Sequence, residues 1–305
     1  MSKRKMIAGL IIGLVLLPII AVALFGEGGG TGGYGKSGSG NVVGVIQING
    51  TIVNGVESGS LFSAVADAEN VMEQLRRAGQ DPEIKAIVLR LNTPGGSAAA
   101  SQEIALEVDR LRQQGKKVVA SMGDVAASGG YWIACRCDQI IANPGTMTGS
   151  IGVIMTTQNL QGLYDKLGIE PIVFKSGPHK DMGSASRGIS EQEQQIFQGM
   201  VDDIYLQFVD TVAEGRGMAK DRVREVADGR VFTGSQALEN GLVDELGNYY
   251  DALDLAASLA GIVGEPEVIN LSPKNPWWGM MSGMSTGELS IDKWARLLSP
   301  EIPVE

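Results

Sequence analysis

Ile84-Lys-Ala-Ile-Val-Leu-Arg-Leu91 runs without interruption into Asn92-Thr-Pro-Gly-Gly96, and residues 97–114 then space Ile104, Leu106, Val108 and Leu111 among polar residues. The first segment reads as a strand, from its apolar and β-branched run. The second is a turn in which glycine supplies positive φ, and the third is a helix. Outward from this unit the same order recurs. Upstream, Val42-Val-Gly-Val-Ile-Gln-Ile48 is a strand, and Leu61, Val65, Ala68, Met72 and Leu75 carry helical spacing through residues 61–78. Downstream come strand 117–122, a helix opening at Ser128, strands 138–142 and 151–155, a helix at 160–167, strand 171–175 and a long helix near 190–214. Strands alternating with helices at short spacing need crossovers, and crossovers make a parallel sheet, so the expected class is α/β. Two or three helices are expected between residues 220 and 260, with Gly241-Leu-Val-Asp-Glu-Leu-Gly247 as a short strand or turn. Beyond about residue 262 the chain holds Pro266, Pro273, Pro276, Pro300 and Pro303 and reads as loosely ordered.

Composition narrows the function. A net charge of −10 with no basic patch argues against nucleic acid as a partner. Cys135 and Cys137 are the only cysteines and His179 the only histidine, too few donors for a closed zinc site. No metal or other cofactor is expected, and the two cysteines read as small packed apolar residues.

The N-terminus has its own logic. Lys3, Arg4 and Lys5 precede an uncharged apolar block at residues 6–25, long enough at 1.5 Å per residue to span about 30 Å of hydrocarbon. The positive-inside rule puts the N-terminus in the cytoplasm and the body of the chain outside. Ala21-Val-Ala23 offers the competing reading, a cleavable signal peptide, but the block exceeds an ordinary h-region and a retained single-pass anchor is expected. Residues 26–41 are a glycine-rich linker. Within it Gly30-Thr-Gly-Gly-Tyr-Gly-Lys-Ser37 satisfies the Walker A pattern, yet no strand precedes it and no helix follows, so the phosphate-binding reading is rejected. Residues 42–262 form the expected catalytic domain and 263–305 a proline-containing tail.

Ligands of open α/β sheets bind beyond the carboxyl ends of strands. Two loops meet that condition, Asn92-Thr-Pro-Gly-Gly96 and Asp124-Val-Ala-Ala-Ser128. Two glycine-rich strand-to-helix turns can gather backbone N–H groups about 3 Å from a developing oxyanion. Ser128 is the candidate nucleophile, favoured by the positive end of the helix it opens. Its base must be His179, a carboxylate or a lysine, and Lys180 follows His179 in Gly177-Pro-His-Lys-Asp-Met-Gly-Ser184.

Pro94-Gly-Gly96 together with Ala126-Ala-Ser-Gly-Gly130 resembles the Clp protease/crotonase superfold. With His179-Lys-Asp-Met-Gly-Ser184, Thr148-Gly-Ser-Ile-Gly152 and Gly229-Arg-Val-Phe-Thr-Gly234, the chain resembles the short form of the signal peptide peptidase A family over residues 42–260. The resemblance implies a spiral of βαβ units with a mostly parallel sheet, behind one N-terminal transmembrane helix. It implies a Ser/Lys dyad protease acting on remnant signal peptides and other apolar peptides, assembled as a homo-oligomeric ring on the membrane. By motif, Ser128 is the nucleophile, Lys180 the general base and Ser150 the hydroxyl that orients the lysine. The oxyanion hole falls to the amides of Gly129 and of Gly95 or Gly96, with Gly96 preferred. A free lysine titrates near 10.4, so a base near neutrality needs a shift of about three units, roughly 4 kcal/mol of differential desolvation.

Two other readings stand beside it. Ala126-Ala-Ser-Gly-Gly130 is a loosened nucleophile elbow, and with His179 as base the protein would be an exported esterase-like hydrolase; the first glycine of the elbow is missing. A non-catalytic, membrane-tethered scaffold is the third, against which stands the presence of both Ser128 and Lys180.

Overall fold

The structure, a computed structural model, describes residues 41–55 and 65–272. The apolar block at 6–25, nearly all of the linker and the tail beyond 272 lie outside the described residues. Among the described residues no helix is long and apolar enough to cross a membrane.

In chain order, β1 (Val42–Asn49), β2 (Thr51–Val53), β3 (Val65–Asp67) and α1 (Ala68–Gln80) lead to β4 (Ile84–Thr93), α2 (Ala98–Gln113) and β5 (Lys117–Ala127). Then come α3 (Gly129–Ala134), β6 (Gln139–Ala142), β7 (Met147–Gly149), α4 (Gln161–Leu167), α5 (Glu191–Arg216) and α6 (Lys220–Val226). The last are β8 (Val231–Thr233), α7 (Gly234–Glu239), β9 (Glu245–Leu246), α8 (Tyr249–Leu259) and β10 (Glu267–Asn270). The main sheet has the order β10-β1-β4-β5-β6-β9, every neighbour parallel, with β7 joined to the end of β5 and β8 antiparallel to β7. The mixed α/β class with a mostly parallel sheet is the expected one.

The apolar run of β4 is continuous because both its faces are covered. Ile87, Leu89 and Leu91 enter the core shared with α1, α2 and α3, while Ala86 and Val88 face α8 through Ala252 and Ala256. Each large side chain so buried contributes about 1.5–3 kcal/mol of transfer free energy. Side-chain caps start the flanking helices: Asp67 accepts from Glu69 N in α1, and Ser97 from Ala100 N in α2.

Three expectations need correction. The strands expected at 151–155 and 171–175 do not form, and no residue from 152 to 190 is buried; Ile154 is 91% and Phe174 94% exposed. Apolar residues alone do not make a strand without a ladder partner, and none pairs with this arm among the described residues. The helix expected from residue 61 begins at Ala68, after the short strand β3. The region beyond 262, read as loosely ordered, holds β10, which pairs along β1 from Val42↔Glu267 to Val45↔Asn270.

Candidate active site

The loop that carries Ser128 is made by an irregularity in β5. Its register with β4 slips between Leu91↔Met122 and Thr93↔Ala126, so β5 bulges at Gly123 and Asp124. Thr146 Oγ1 donates to Gly123 O (2.7 Å) and Asn92 Oδ1 accepts from Val125 N (3.2 Å), which holds the bulge. Beyond it β5 leaves β6 and pairs with β7, from Val125↔Met147 to Ala127↔Gly149. The expected strand 117–122 therefore runs on to Ala127 and delivers Ser128 at the sheet's carboxyl edge.

Ser128 sits at φ 53°, ψ −119°, and its side chain makes no capping hydrogen bond, so it is not there to start α3. Its amide donates to Gly149 O (2.9 Å) and its carbonyl accepts from Trp132 N (2.9 Å). One residue past Gly149, Ser150 has φ 49°, with its amide on Arg230 O (2.8 Å). Ser128 and Ser150 are the only non-glycine residues with positive φ among the described residues, and they lie side by side. Such backbone costs of order 1–3 kcal/mol and persists where surrounding structure holds it. Here Tyr131 does so from below, fully buried with its hydroxyl on Leu242 O (2.8 Å).

The facing loop approaches as closely as glycine allows. A Cβ on Gly96 (φ 159°) would stand 2.1 Å from Ile52 O, and one on Gly95 (φ 97°) 2.7 Å from Gly129 N. The Gly95 amide is committed to Thr93 Oγ1 (3.0 Å). The Gly96 and Gly129 amides have no acceptor among the described residues, and a Cβ on Gly129 would be 3.4 Å from Gly96 N. Two neighbouring N–H groups without a partner beside a serine hydroxyl are what an oxyanion hole requires, which makes Gly96 and Gly129 the candidate donors and leaves out Gly95.

These groups line a cleft of about 830 Å³ whose wall includes Ser128, Gly96, Ser150 and Met155. Its floor is the stack of Trp132 on Phe208 of α5, centroids 4.4 Å apart. Neither Lys180 nor His179 lines it; both are exposed in the turn at 177–183, on the arm. Lys180 makes no side-chain hydrogen bond or ion pair among the described residues. The serines and glycines predicted from the sequence are thus brought together, and the predicted base is not. Sequence reasoning missed the aromatic floor and the ion-pair chain Asp181–Arg187–Glu193 beside Lys180; the only trace of the latter was opposite charges recurring at six-residue intervals. Cys135 and Cys137 are free and buried, and burial pushes the Cys135 thiol up to about 12, so these sulfurs are unreactive packing atoms.

The profile of peptidase family S49 matches residues 110–263, which include Ser128, Ser150 and Lys180. The chain belongs to peptidase family S49. Similar proteins include "Putative protease slr0021" of Synechocystis sp., 45% identical over 226 residues, 74% of this chain and 76% of that one. "Putative signal peptide peptidase SppA" of Enterococcus faecium is 40% identical over 68% of this chain and 61% of its own. "Protease 4" of Salmonella typhi is 38% identical over 73% of this chain but only 35% of its own length. A solved structure, a membrane-bound stomatin-specific protease, covers 77% of this chain and 99% of its own at 18% identity and a TM-score of 0.47. This S49 peptidase is a serine protease of the signal peptide peptidase A family. Its matched region starts after the Gly95-Gly96 loop, so Gly96 is a candidate donor on the geometry above alone.

Proposed function

We propose that this S49 peptidase is a membrane-anchored endopeptidase that cleaves remnant signal peptides and other apolar peptides through a Ser128/Lys180 dyad. The observation that carries the reading is Ser128 itself, held at φ 53° beside the free amides of Gly96 and Gly129. Ser128 Oγ attacks the scissile carbonyl, the two amides hold the oxyanion, and Lys180 takes the serine proton and passes it to the leaving amine. Water activated by the same lysine then hydrolyses the acyl-enzyme. Ser150, beside Ser128 on the cleft wall, is the hydroxyl proposed to accept a hydrogen bond from the neutral amine. The Trp132–Phe208 floor favours apolar substrate side chains. The basic residues ahead of the 6–25 block support a cytoplasmic N-terminus and an extracytoplasmic catalytic domain.

Assembly of the dyad calls for a second copy. Lys180 is outside the cleft, on an arm that leaves Ile154 and Phe174 almost wholly uncovered. Exposed apolar side chains gathered on one arm favour an interface, and a closed homo-oligomer would cover them while bringing one copy's Lys180 to the next copy's Ser128. The test is complementation. Ser128→Ala and Lys180→Ala chains are each inactive alone on an apolar peptide. Co-expressed, they regain activity in about a quarter of sites if the lysine comes from a neighbour. A mixture as inactive as its parts refutes assembly between copies. Loss of activity in His179→Ala with retention in Lys180→Ala refutes the dyad in favour of the histidine reading.

A further inference from the structure

The residue after Lys180 is tied on both carboxylate oxygens. Asp181 accepts from Lys175 Nζ (2.8 Å) and, in a forked contact, from Arg187 Nη2 (2.9 Å) and Nε (3.1 Å). Arg187 Nη2 also donates to Asp181 O (3.3 Å), the carbonyl that accepts from Ser184 N (3.0 Å) and so closes the turn. In the other direction Arg187 Nη1 donates to Glu193 Oε2 (2.9 Å). Glu193, 2% exposed, lies in the first turn of α5, where its carboxylate accepts from Ser190 N (3.0 Å) and its amide donates to Ser190 Oγ. One guanidinium therefore connects the lysine-bearing turn to the start of the 26-residue helix whose Phe208 floors the cleft.

The chain also decides which charge stands next to Lys180. The Arg187 and Lys175 cations hold the Asp181 carboxyl well below the usual carboxylate range, and Arg187 holds Glu193 down at about 2. Both acids are thus already engaged. The other charged or titratable groups near the turn or on the cleft side are His179, Asp202, Tyr205 and Asp228, the last paired with Arg230. Phe197 and Thr157, which pack on Gly183, carry no charge.

We propose that Arg187 is the positioning residue of the catalytic lysine: bridging Asp181 to Glu193, it fixes the 177–183 turn on α5 and keeps Asp181 from pairing with Lys180. The proposal rests on Lys180 being the base. Freed from Arg187, an Asp181 carboxylate adjoining Lys180 would favour the ammonium, which is useless as a base.

The test compares Arg187→Gln, Arg187→Lys, Asp181→Asn, the double variant Arg187→Gln/Asp181→Asn and Lys180→Ala in the full-length protein, on an apolar peptide substrate. Oligomeric state and Tm are measured alongside. Arg187→Gln lowers kcat about 10- to 100-fold with KM within about 2-fold, since the base is misplaced while the cleft is intact. It also moves the rise of kcat/KM with pH upward by about one unit. In the double variant the pH midpoint returns to that of wild type while kcat stays low. Arg187→Lys keeps the charge but not the fork and recovers the midpoint with part of kcat. If Arg187→Gln does not fold, Asp181→Asn carries the test, with a reduced kcat and a midpoint that does not rise. Wild-type kcat and midpoint in Arg187→Gln, or a raised midpoint in the double variant or in Asp181→Asn, overturn the proposal. Activity retained in Lys180→Ala overturns the dyad instead.

Discussion

Around Ser128 the chain is covered on every side: Gly129, Gly130, Tyr131, Trp132 and Ile133 are all buried, as are Ala126 and Ala127. From 152 to 190 not one residue is. The first region is fixed by its own core before any partner arrives, and can hold a serine in a backbone conformation that would otherwise relax. The second carries few internal contacts, so its geometry depends on ion pairs such as Asp181–Arg187–Glu193 and on whatever covers its apolar residues. The proposed nucleophile thus sits in a buried segment and the proposed base in an unburied one, where local opening costs least.

The largest expected effects separate chemistry from packing. Ser128→Ala lowers kcat/KM by about 10⁴-fold or more. Ser128→Gly loses as much activity, yet glycine takes positive φ without strain, so stability rises by about 1 kcal/mol and Tm by about 2–4 °C. A lower Tm by calorimetry would show that the turn is not strained. Lys180→Ala costs about 10³-fold or more in kcat/KM but leaves Tm unchanged, because its side chain is exposed and makes no ion pair among the described residues. A fall in Tm of the isolated chain would contradict the loosely held arm. Gly96→Ala drives a Cβ to 2.1 Å from Ile52 O, which costs about 2–3 kcal/mol in denaturant melts and displaces an oxyanion donor, for about 10²-fold in kcat.

The smallest effect is one of pH. Glu193 is held at about 2, below its unfolded value of 4.5, so its pairing stabilises the arm fully above about pH 4.5 and is lost as pH falls towards 2. Limited proteolysis at pH 5, 3.5 and 2 should open the arm before the sheet. Glu193→Gln should leave the arm more open at pH 5 and weaken the dependence to the part carried by Asp181, whose carboxyl is also held low; an arm that stays closed in wild type down to pH 2 contradicts the assignment.

The same contrast explains what could be read from sequence. β4, β5 and their helices were legible because each local pattern agrees with burial: Ile87, Leu89 and Leu91 meet a helix layer on one face, and Ala86 and Val88 another. The stretches 151–155 and 171–175 carry equally apolar residues, but exposed apolar residues and a core strand look alike until the partner strand is sought. β10 was missed because four residues among prolines acquire their meaning from β1, far away in the chain. Within the site, Ser128, Ser150 and the glycine loop followed from motif. The commitment of the Gly95 amide to Thr93 did not, since one hydroxyl's direction selects between two adjacent donors. Arg187 was invisible for a similar reason: a loop arginine reads as solvated until both its carboxylates are in place.

The pairing of β1 with β10 bears on how the protein is made. Gln47 N donates to Ser272 Oγ across 225 residues, and Leu271 N to Val45 O (2.8 Å). β1 can join β4 soon after both leave the ribosome, but its other edge stays bare until the last strand follows. At about 5–20 residues per second, that interval is roughly ten to thirty-five seconds of synthesis. For that time the nascent sheet carries an open parallel edge, a template for pairing with any other extended chain. A chain broken off before Glu267 keeps that edge permanently and should aggregate, although it contains every residue of the proposed catalytic machinery.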